Sequence, residues 1–360
     1  MRVWHDIYSK LITLENIFQA WEEFVKGKSK KIDVITFGRC LEDNLFSLYY
    51  SLKRKTYRHS TYKSFFIRDP KIRHIHKANV FDRVVHHLTS KVLEEIFEPT
   101  FYTHSYSCRK ERGTHKAVVA FIKMARKVSK NNASPCYILK CDIKRFFATV
   151  DHKILLRQLR QKIKDKDFLW LLREIINSFQ SEFTKNPKLP KGMPIGNLTS
   201  QLFANIYLNP LDQFIKHELK VMRYIRYADD FVILSPDQVY LENLIPKIKK
   251  FLRYKLKLFL HNHKVLIRDY YLGIDFLGYV VFPHIVLPRT KTKRRVFRKV
   301  YKQVQQVKNQ KSNYEALNQS VQSYLGYLSH ANAFKLSSEL KNQVWFWLAG
   351  PQARVSPNIT

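Results

Sequence analysis

The sequence has 360 residues, of which 45% are hydrophobic, so it can form one large core or two to three smaller subdomains. Its 64 Lys and Arg residues against 29 Asp and Glu residues give a net charge of +35, which opposes compactness through self-repulsion. Nucleic acid is the favoured partner, because each phosphate that a Lys or Arg neutralises releases counterions and so adds to the affinity. Composition alone also allows a basic ribosome-associated protein or a membrane-surface protein.

A membrane span, a secretory leader and a cysteine framework are not expected from the sequence. The longest apolar stretch, 276–287, is interrupted by Pro and His and is shorter than the roughly 18 residues that a spanning helix needs. The N-terminus lacks the apolar block of a signal peptide, which predicts a cytoplasmic protein without a membrane partner. The four cysteines have no C-x-x-C spacing, and the His74/His76 and His261/His263 pairs lack partner ligands at zinc-finger spacing.

The first third of the chain carries a helix pattern, then a strand pattern, then a second helix pattern. Apolar residues at helical spacing over 7–25 predict one packed helix, followed by a basic turn at 26–31. Alternating apolar and polar residues with many aromatics from 56 to 73 predict strands that end in a turn at 69–71. Helical spacing returns from 81 to 97.

The rest of the chain mixes strands and helices without strict alternation. In chain order, the predicted elements are a strand at 136–150 with Asp142 near its end, helices at 152–179 and 198–219 on either side of a Lys, Pro and Gly-rich loop at 184–192, a tight hairpin at 221–235, a helix at 241–258, strands at 271–287 and a basic helical region from 291 to about 348. This mixed order predicts an α+β fold with helices on one face of the sheet.

Three of the scarce acids stand in apolar surroundings. Asp142 ends an apolar strand, and Asp229 and Asp230 occupy the bend of an otherwise apolar hairpin. Adjacent like charges in an apolar setting are costly unless a cation lies between them, and Mg²⁺ suits oxygen ligands while leaving positions open for phosphates. A pair of Asp residues at a turn is, taken alone, more often a solvated bend. The combination of all three acids with the +35 charge favours a two-metal nucleotidyl-transfer site.

The sequence from Tyr227 to Asp230, Tyr-Ala-Asp-Asp with apolar flanks, resembles the signature of reverse transcriptases. The resemblance covers the chain from about Tyr8 to about Leu348 and implies an RNA-directed DNA polymerase with a right-hand polymerase fold. The implied division is an N-terminal helix and fingers at 1–135, a palm of antiparallel sheet plus helices with an interleaved fingers segment at 136–285, a helical thumb at 286–350 and a tail at 351–360.

The resemblance also implies roles at the metal site. Asp142 and Asp229 would be the metal-binding carboxylates, Asp230 the third acid, and the backbone carbonyl of Ile143 would complete the coordination of two Mg²⁺ ions, for which Mn²⁺ is a possible substitute. The implied partners are a template RNA, the RNA/DNA hybrid and deoxynucleoside triphosphates.

Further blocks resemble nucleotide-binding and primer-binding segments. Lys71 and Arg73 would hold the incoming triphosphate, which suits a guanidinium that grips phosphate oxygens bidentately, although membership of a general basic surface is as plausible. Phe147 matches the bulky position that excludes a ribose 2′-hydroxyl, or is a core aromatic. Lys264 resembles the palm lysine that could protonate pyrophosphate. The segment that would grip the primer terminus consists of Phe276, Leu277, Gly278 and Tyr279.

The stretch around Ile195 and Gly196 departs from the general family pattern. Most relatives place Gln before this glycine and Pro after the serine, where this chain has Ile195 and Gln201. This variant resembles the reverse transcriptases of diversity-generating retroelements, which implies error-prone copying at adenines and a small basic accessory protein oligomer as partner. An apolar Ile195 cannot hydrogen-bond near the nascent base pair as a Gln amide can, so discrimination would depend on shape and packing.

Two alternatives remain beside this interpretation. A retron or group II intron-like reverse transcriptase differs in the Ile195/Gln201 pattern and in what lies beside its gene. A non-catalytic RNA-binding scaffold that kept the polymerase fold is the alternative of another class, and the presence of all three acids argues against it, because a scaffold does not need a costly carboxylate cluster.

Overall fold

The computed structural model describes residues 2–68, 71–184 and 190–349. Its helices, in chain order, are α1 (Ile7–Leu11), α2 (Leu14–Val25), α3 (Ile32–Gly38), α4 (Leu41–Lys53), α5 (Val80–Phe97), α6 (Thr114–Val128), α7 (Phe146–Thr149), α8 (His152–Lys162), α9 (Lys166–Asn177), α10 (Leu198–Gln213), α11 (Gln238–Phe251), α12 (Thr290–Lys308), α13 (Tyr314–Leu328) and α14 (Phe334–Ala349). None of the helices in these ranges is long and apolar enough to cross a membrane.

The strands form three sheets. They are β1 (Lys63–Ile67), β2 (Arg73–Lys77), β3 (Tyr137–Asp142), β4 (Tyr224–Tyr227), β5 (Asp230–Ser235), β6 (Leu266–Asp269), β7 (Ile274–Phe276), β8 (Tyr279–Val281) and β9 (Val286–Pro288). The sheets have the orders β1-β2, β4-β5-β3-β6 and β7-β8-β9. Antiparallel pairing joins β1 to β2, β4 to β5, β7 to β8 and β8 to β9.

The described chain forms two compact units. The first unit comprises the residues up to Gly113 together with Lys140–Ile233 and Glu242–Leu266. The second unit comprises Thr114–Leu139, Leu234–Leu241 and the described residues from Ile267 onwards. The division 1–135, 136–285 and 286–350 that the resemblance implies stays a prediction, and its tail at 351–360 lies outside the described residues.

In the first unit, α5 packs against α2 and α10, and α8 packs against α10 and α9. The prediction of a helix over 81–97 is confirmed by α5, and that over 198–219 by α10 and the π-helical turn that follows it. The single helix predicted over 7–25 is wrong, because α1 ends at Leu11 and Thr13 caps α2 by accepting a hydrogen bond from the Asn16 N–H at 3.2 Å.

Two further predictions for this unit need correction. The segment predicted as strand from 56 begins its pairing only at Lys63, and the turn predicted at 69–71 lies partly outside the described residues. The helix predicted over 152–179 is two helices, because Asp165 caps α9 by accepting from the N–H groups of Asp167 and Phe168, both at 2.9 Å. The strand predicted over 136–150 ends at Asp142.

The second unit contains a bundle of α12, α13 and α14. Its core on α12 consists of Val296, Val300 and Val304, spaced four residues apart on one helix face. The rest of α12 carries Lys and Arg and has no acid. The predicted basic helical region after Lys291 is thus confirmed, as are strands within 271–287.

Candidate active site

Three carboxylates lie at adjoining strand ends in the first unit. Asp142 is the last residue of β3, and Asp229 and Asp230 lie where β4 turns into β5. The sheet order makes β3 and β5 neighbours, and the Ile143 N–H donates to the Asp229 carbonyl at 3.2 Å. The structure therefore brings together the three acids that the sequence singled out.

The acidic turn is a two-residue hairpin loop. Tyr227 pairs with Asp230, which leaves Ala228 and Asp229 as the loop. Ala228 has φ of +54°, in the left-handed region that two-residue hairpin loops favour and that non-glycine residues seldom adopt. Such a conformation persists only where the surrounding structure holds it in place. We call residues 227–230 the catalytic turn, for the role that we propose for Asp229 and Asp230.

Burial and neighbouring carboxylates raise the pKa of Asp229 and of Asp230. Burial, a hydrogen bond with Asp142 and the charge of Asp229 raise the pKa of Asp230 to about 7, against the charge of Lys140. Burial and the charge of Asp142 raise the pKa of Asp229, although a backbone hydrogen bond and the charges of Lys264 and Arg73 oppose the rise. Carboxylates held together in this way favour either a proton or an added cation.

Cations approach the acids from two segments. The Lys264 ammonium donates to Asp142 Oδ2 at 2.8 Å, and the backbone N–H of His261 donates to the Asp142 carbonyl at 2.8 Å. Arg73 is the first residue of β2, exposed, and its charge acts on Asp229. Lys71 is exposed and lies two residues before it. Lys264 and Arg73 thus supply positive charge beside the acids.

The segment Ile195–Gly196 lies against β2. The His76 N–H donates to the Ile195 carbonyl at 3.1 Å. Gly196 has φ of +123°, and a Cβ built on it would lie 3.1 Å from Ile75 Cγ2. Glycine at position 196 therefore permits both an unusual backbone conformation and a close approach to β2, the strand that carries Arg73.

Phe147 lies on the short helix α7, which follows Asp142 after three residues. Its side chain is half-buried, whereas the neighbouring Phe146 is fully buried. The Phe147 carbonyl accepts a hydrogen bond from the Met193 N–H at 2.6 Å, which ties α7 to the segment that leads into Ile195. Phe147, Ile195 and β2 thus form a connected framework within the first unit.

The predicted primer-binding residues belong to the second unit. Leu277 and Gly278 have φ of +50° and +95° and form the tight turn between β7 and β8. Tyr327 of α13 holds this turn, because its hydroxyl donates to the Gly278 carbonyl at 2.6 Å while its carbonyl accepts from the Tyr279 hydroxyl at 2.9 Å. Phe276 is buried beside the turn.

A buried charged network that contacts the catalytic turn was not predicted from the sequence. Arg226 is fully buried, and its guanidinium donates to both carboxylate oxygens of Asp212 on α10, at 2.8 and 2.6 Å. A cation inside an otherwise apolar strand requires a buried acid as partner, and Asp212 inside an apolar helix is the matching signal. Sequence reasoning could have linked the two on that ground.

Comparison with known proteins agrees with this geometry. The pattern of the family described as "Reverse transcriptase (RNA-dependent DNA polymerase)" matches residues 67–281. Protein YkfC of Escherichia coli is 27% identical over 231 residues, covering 55% of this chain and 60% of YkfC. The group II intron-encoded protein LtrA of Lactococcus lactis is 24% identical over 341 residues, covering 76% of this chain and 56% of LtrA. The matches thus span somewhat over half the length of these curated relatives.

Solved structures of telomerase are similar to the chain in part. Telomerase from Candida albicans, in complex with a fragment of telomeric RNA, has a TM-score of 0.47 at 12% identity, covering 81% of this chain and 62% of that one. Apo telomerase from Candida tropicalis has a TM-score of 0.44 at 14% identity, covering 68% and 60%.

The chain belongs to the reverse transcriptase (RNA-dependent DNA polymerase) family, because the family pattern covers more than half of its length. The predicted fold class, α+β of the right-hand polymerase type, is confirmed by this membership together with the mixed helices and antiparallel strands.

Proposed function

We propose that this protein is an RNA-directed DNA polymerase that copies a template RNA into cDNA. The observation that carries the proposal is the meeting of Asp142, Asp229 and Asp230 at adjoining strand ends, in a chain of the reverse transcriptase family. Burial and neighbouring carboxylates raise the pKa of Asp229 and Asp230, and a bound divalent cation would relieve the repulsion between the acids. A non-catalytic scaffold would have no use for this cluster.

The donor set fits Mg²⁺, with Mn²⁺ as a possible substitute, because all its members are oxygen ligands. Asp142, Asp229, Asp230 and the Ile143 carbonyl would hold two ions. Within residues 2–68, 71–184 and 190–349, no three His, Cys, Asp or Glu side chains are arranged to hold a metal ion as they stand, so ion binding would require the three neighbouring acids to reorient. Lys264 instead provides the positive charge beside Asp142. When bound, the ions would activate the primer hydroxyl and stabilise the leaving pyrophosphate.

The other residues would orient the substrates. Arg73 and Lys71 would bind the triphosphate oxygens, and the Arg73 guanidinium can do so bidentately. The Lys264 ammonium donates to Asp142. Once the nucleotide draws Lys264 away from Asp142, Lys264 Nζ could deliver a proton to pyrophosphate. Phe147 would stand under the sugar and exclude a 2′-hydroxyl, while Ile195 and Gly196 would lie beside the nascent base pair.

Nucleic acid binding would involve the second unit. The turn formed by Phe276, Leu277, Gly278 and Tyr279 would grip the primer terminus, and the cations of α12 would contact the RNA/DNA hybrid through its phosphates. Such contacts fix position without reading sequence, so the template RNA must be identified by other means.

For the subtype, we propose a diversity-generating retroelement enzyme that misincorporates opposite template adenines and works with a small basic accessory protein oligomer. The support is the Ile195/Gln201 pattern, because Ile195 offers no side-chain hydrogen bond near the base pair. A retron or group II intron-like enzyme is the alternative, and a pair of imperfect repeats beside the gene that differ at adenines would distinguish the two. If Ile195→Gln leaves the adenine error rate unchanged, Ile195 is not the cause of low fidelity.

Primer extension on an RNA template tests the activity directly. Wild-type protein with Mg²⁺ and deoxynucleoside triphosphates should extend the primer, and Asp229→Asn, which keeps the shape of the side chain, should not. Asp237→Asn is the matched control, because Asp237 lies just beyond β5, is exposed, and its carboxylate caps the start of the next helix. Binding of RNA by the wild type without any extension would favour the scaffold instead.

A further inference from the structure

We propose that Arg226 and Asp212 are positioning residues that hold the catalytic turn in its metal-binding shape from helix α10. The inference rests on the proposed polymerase function and deepens it. It assigns a task to a buried ion pair that is not among the proposed metal and substrate ligands.

The ion pair is bidentate and fully enclosed. Arg226 Nε donates to Asp212 Oδ1 at 2.8 Å and Arg226 Nη2 donates to Asp212 Oδ2 at 2.6 Å. The Tyr224 hydroxyl donates to Asp212 Oδ1 at 2.7 Å. Both charged side chains have no solvent exposure. The guanidinium is therefore locked in one orientation by a partner on another element.

The remaining guanidinium nitrogen reaches the catalytic turn. Arg226 Nη1 donates to the Ala228 carbonyl at 3.1 Å and to Asn205 Oδ1 at 3.2 Å. The Ala228 carbonyl belongs to the peptide plane that leads into Asp229, and this plane is rigid. Holding that oxygen fixes the direction in which the Asp229 backbone, and with it the carboxylate, leaves the turn. It also holds Ala228 at its positive φ.

The backbone around the network is fixed as well. The Arg226 N–H donates to the His104 carbonyl, and the Arg226 carbonyl accepts from the Tyr106 N–H, both at 3.0 Å. Asn205, seven residues before Asp212 and so on the same face of α10, donates to the Ser107 carbonyl at 2.9 Å. The catalytic turn is thus joined to α10, the helix that begins directly after Ile195 and Gly196.

Stability alone does not account for this arrangement. Two charges lose their hydration on burial, and well-packed apolar residues of similar volume often serve the fold equally well. What an apolar pair cannot supply is a donor to the Ala228 carbonyl. The same contrast provides the experiment.

The double variant Arg226→Met with Asp212→Leu removes the donor without leaving a buried charge unpaired. We expect it to fold, and to show roughly 10- to 100-fold slower single-nucleotide incorporation at saturating Mg²⁺, as a misplaced carboxylate would cause. Independently of activity, we expect weaker Mn²⁺ binding in titrations followed by electron paramagnetic resonance, and faster hydrogen exchange of the peptide that covers 224–235. Arg226→Lys is the second variant, for use where the double variant does not fold. It keeps the charge but lacks the planar, forked guanidinium, and it should show the same three changes.

Asp165→Asn is the control variant. It perturbs a carboxylate of the first unit that accepts four backbone N–H bonds far along the chain from the turn, so it should lower stability and leave Mn²⁺ binding unchanged. A folded Arg226 variant with wild-type incorporation, Mn²⁺ affinity and exchange would overturn the inference. A wild type that binds Mn²⁺ but extends no primer would overturn the proposed function instead, and the Mn²⁺ and exchange measurements would still decide the role of Arg226.

Discussion

Replacing Gly196 with Ala tests how closely the Ile195–Gly196 segment must approach strand β2. Gly196 has φ of +123°, which L residues rarely adopt, and an added Cβ would lie 3.1 Å from Ile75 Cγ2 and 3.7 Å from the His76 carbonyl oxygen. The first contact is tighter than ordinary van der Waals distance, so Ile75 must give by a few tenths of an ångström, and we expect this displacement to be passed on to β2. Arg73 lies on the same strand and would move with it.

Gly113 offers a matched control for the backbone contribution. Its φ of +121° is nearly the same, but a Cβ there would meet nothing within 4 Å. Both substitutions should cost about 1–3 kcal/mol of unfolding free energy from the unfavourable φ. Only Gly196→Ala should also displace β2, and we expect it to lower kcat/KM for the deoxynucleotide by roughly 10- to 100-fold, because small misplacements of binding groups are costly in rate.

The assay combines thermal unfolding with primer extension at varied deoxynucleotide concentration. Adding Ile75→Ala to Gly196→Ala removes Ile75 Cγ2, and we expect it to restore part of the lost kcat/KM but not the stability lost to the unfavourable φ. The reasoning is refuted if Gly196→Ala and Gly113→Ala have the same kcat/KM, or if removing Cγ2 restores nothing.

Three further predictions concern stability and reactivity. Gly326 lies inside α13, with nothing within 4 Å of an added Cβ, so Gly326→Ala should raise the unfolding free energy by about 0.5–1 kcal/mol, and an unchanged or lower Tm would contradict this. Burial raises the pKa of the Cys136 and Cys141 thiols to about 12, whereas Cys40 and Cys108 are exposed. A thiol reagent near pH 8 should therefore modify two cysteines in the native protein and four after denaturation. Modification of more than two in the native protein would show that Cys136 or Cys141 is accessible. Burial alone would raise the pKa of Asp165, but backbone hydrogen bonds from Tyr8, Phe168, Ile7 and Asp167 outweigh it and lower that pKa. The stabilisation from Asp165 is therefore complete above the ordinary Asp pKa of about 3.9 and is lost as pH falls through the lowered folded-state value. The difference in unfolding free energy between wild type and Asp165→Asn should be constant near neutral pH and shrink in acid. A difference that grows in acid would contradict this prediction.

Local patterns in the sequence were sufficient for the elements whose partners are close along the chain. Helical spacing predicted α5, and the alternation on both sides of Asp229 and Asp230 predicted the β4/β5 hairpin. The family signature then placed Asp142 beside the same turn in advance. These features can be predicted because the 3.6-residue period of helices and the two-residue period of strands appear in residues that are close along the chain.

Helix breaks were decided by single capping side chains within those periodic runs. Thr13 and Asp165 interrupt apolar patterns that otherwise continue across them, because their oxygens satisfy N–H groups that a continuous helix would pair internally. The pattern of apolar residues does not register this competition, so the sequence predicted one helix where the structure has two.

What only the tertiary structure decided are the contacts between segments distant along the chain. The Ile195 carbonyl meets the His76 N–H, and Arg226 meets Asp212 and the Ala228 carbonyl, because packing brings β2, α10 and the catalytic turn together. The sequence determined which side chains we propose to carry the chemistry. Their orientation depends on buried hydrogen bonds whose donors and acceptors become neighbours only after the chain has folded, and no local pattern encodes them.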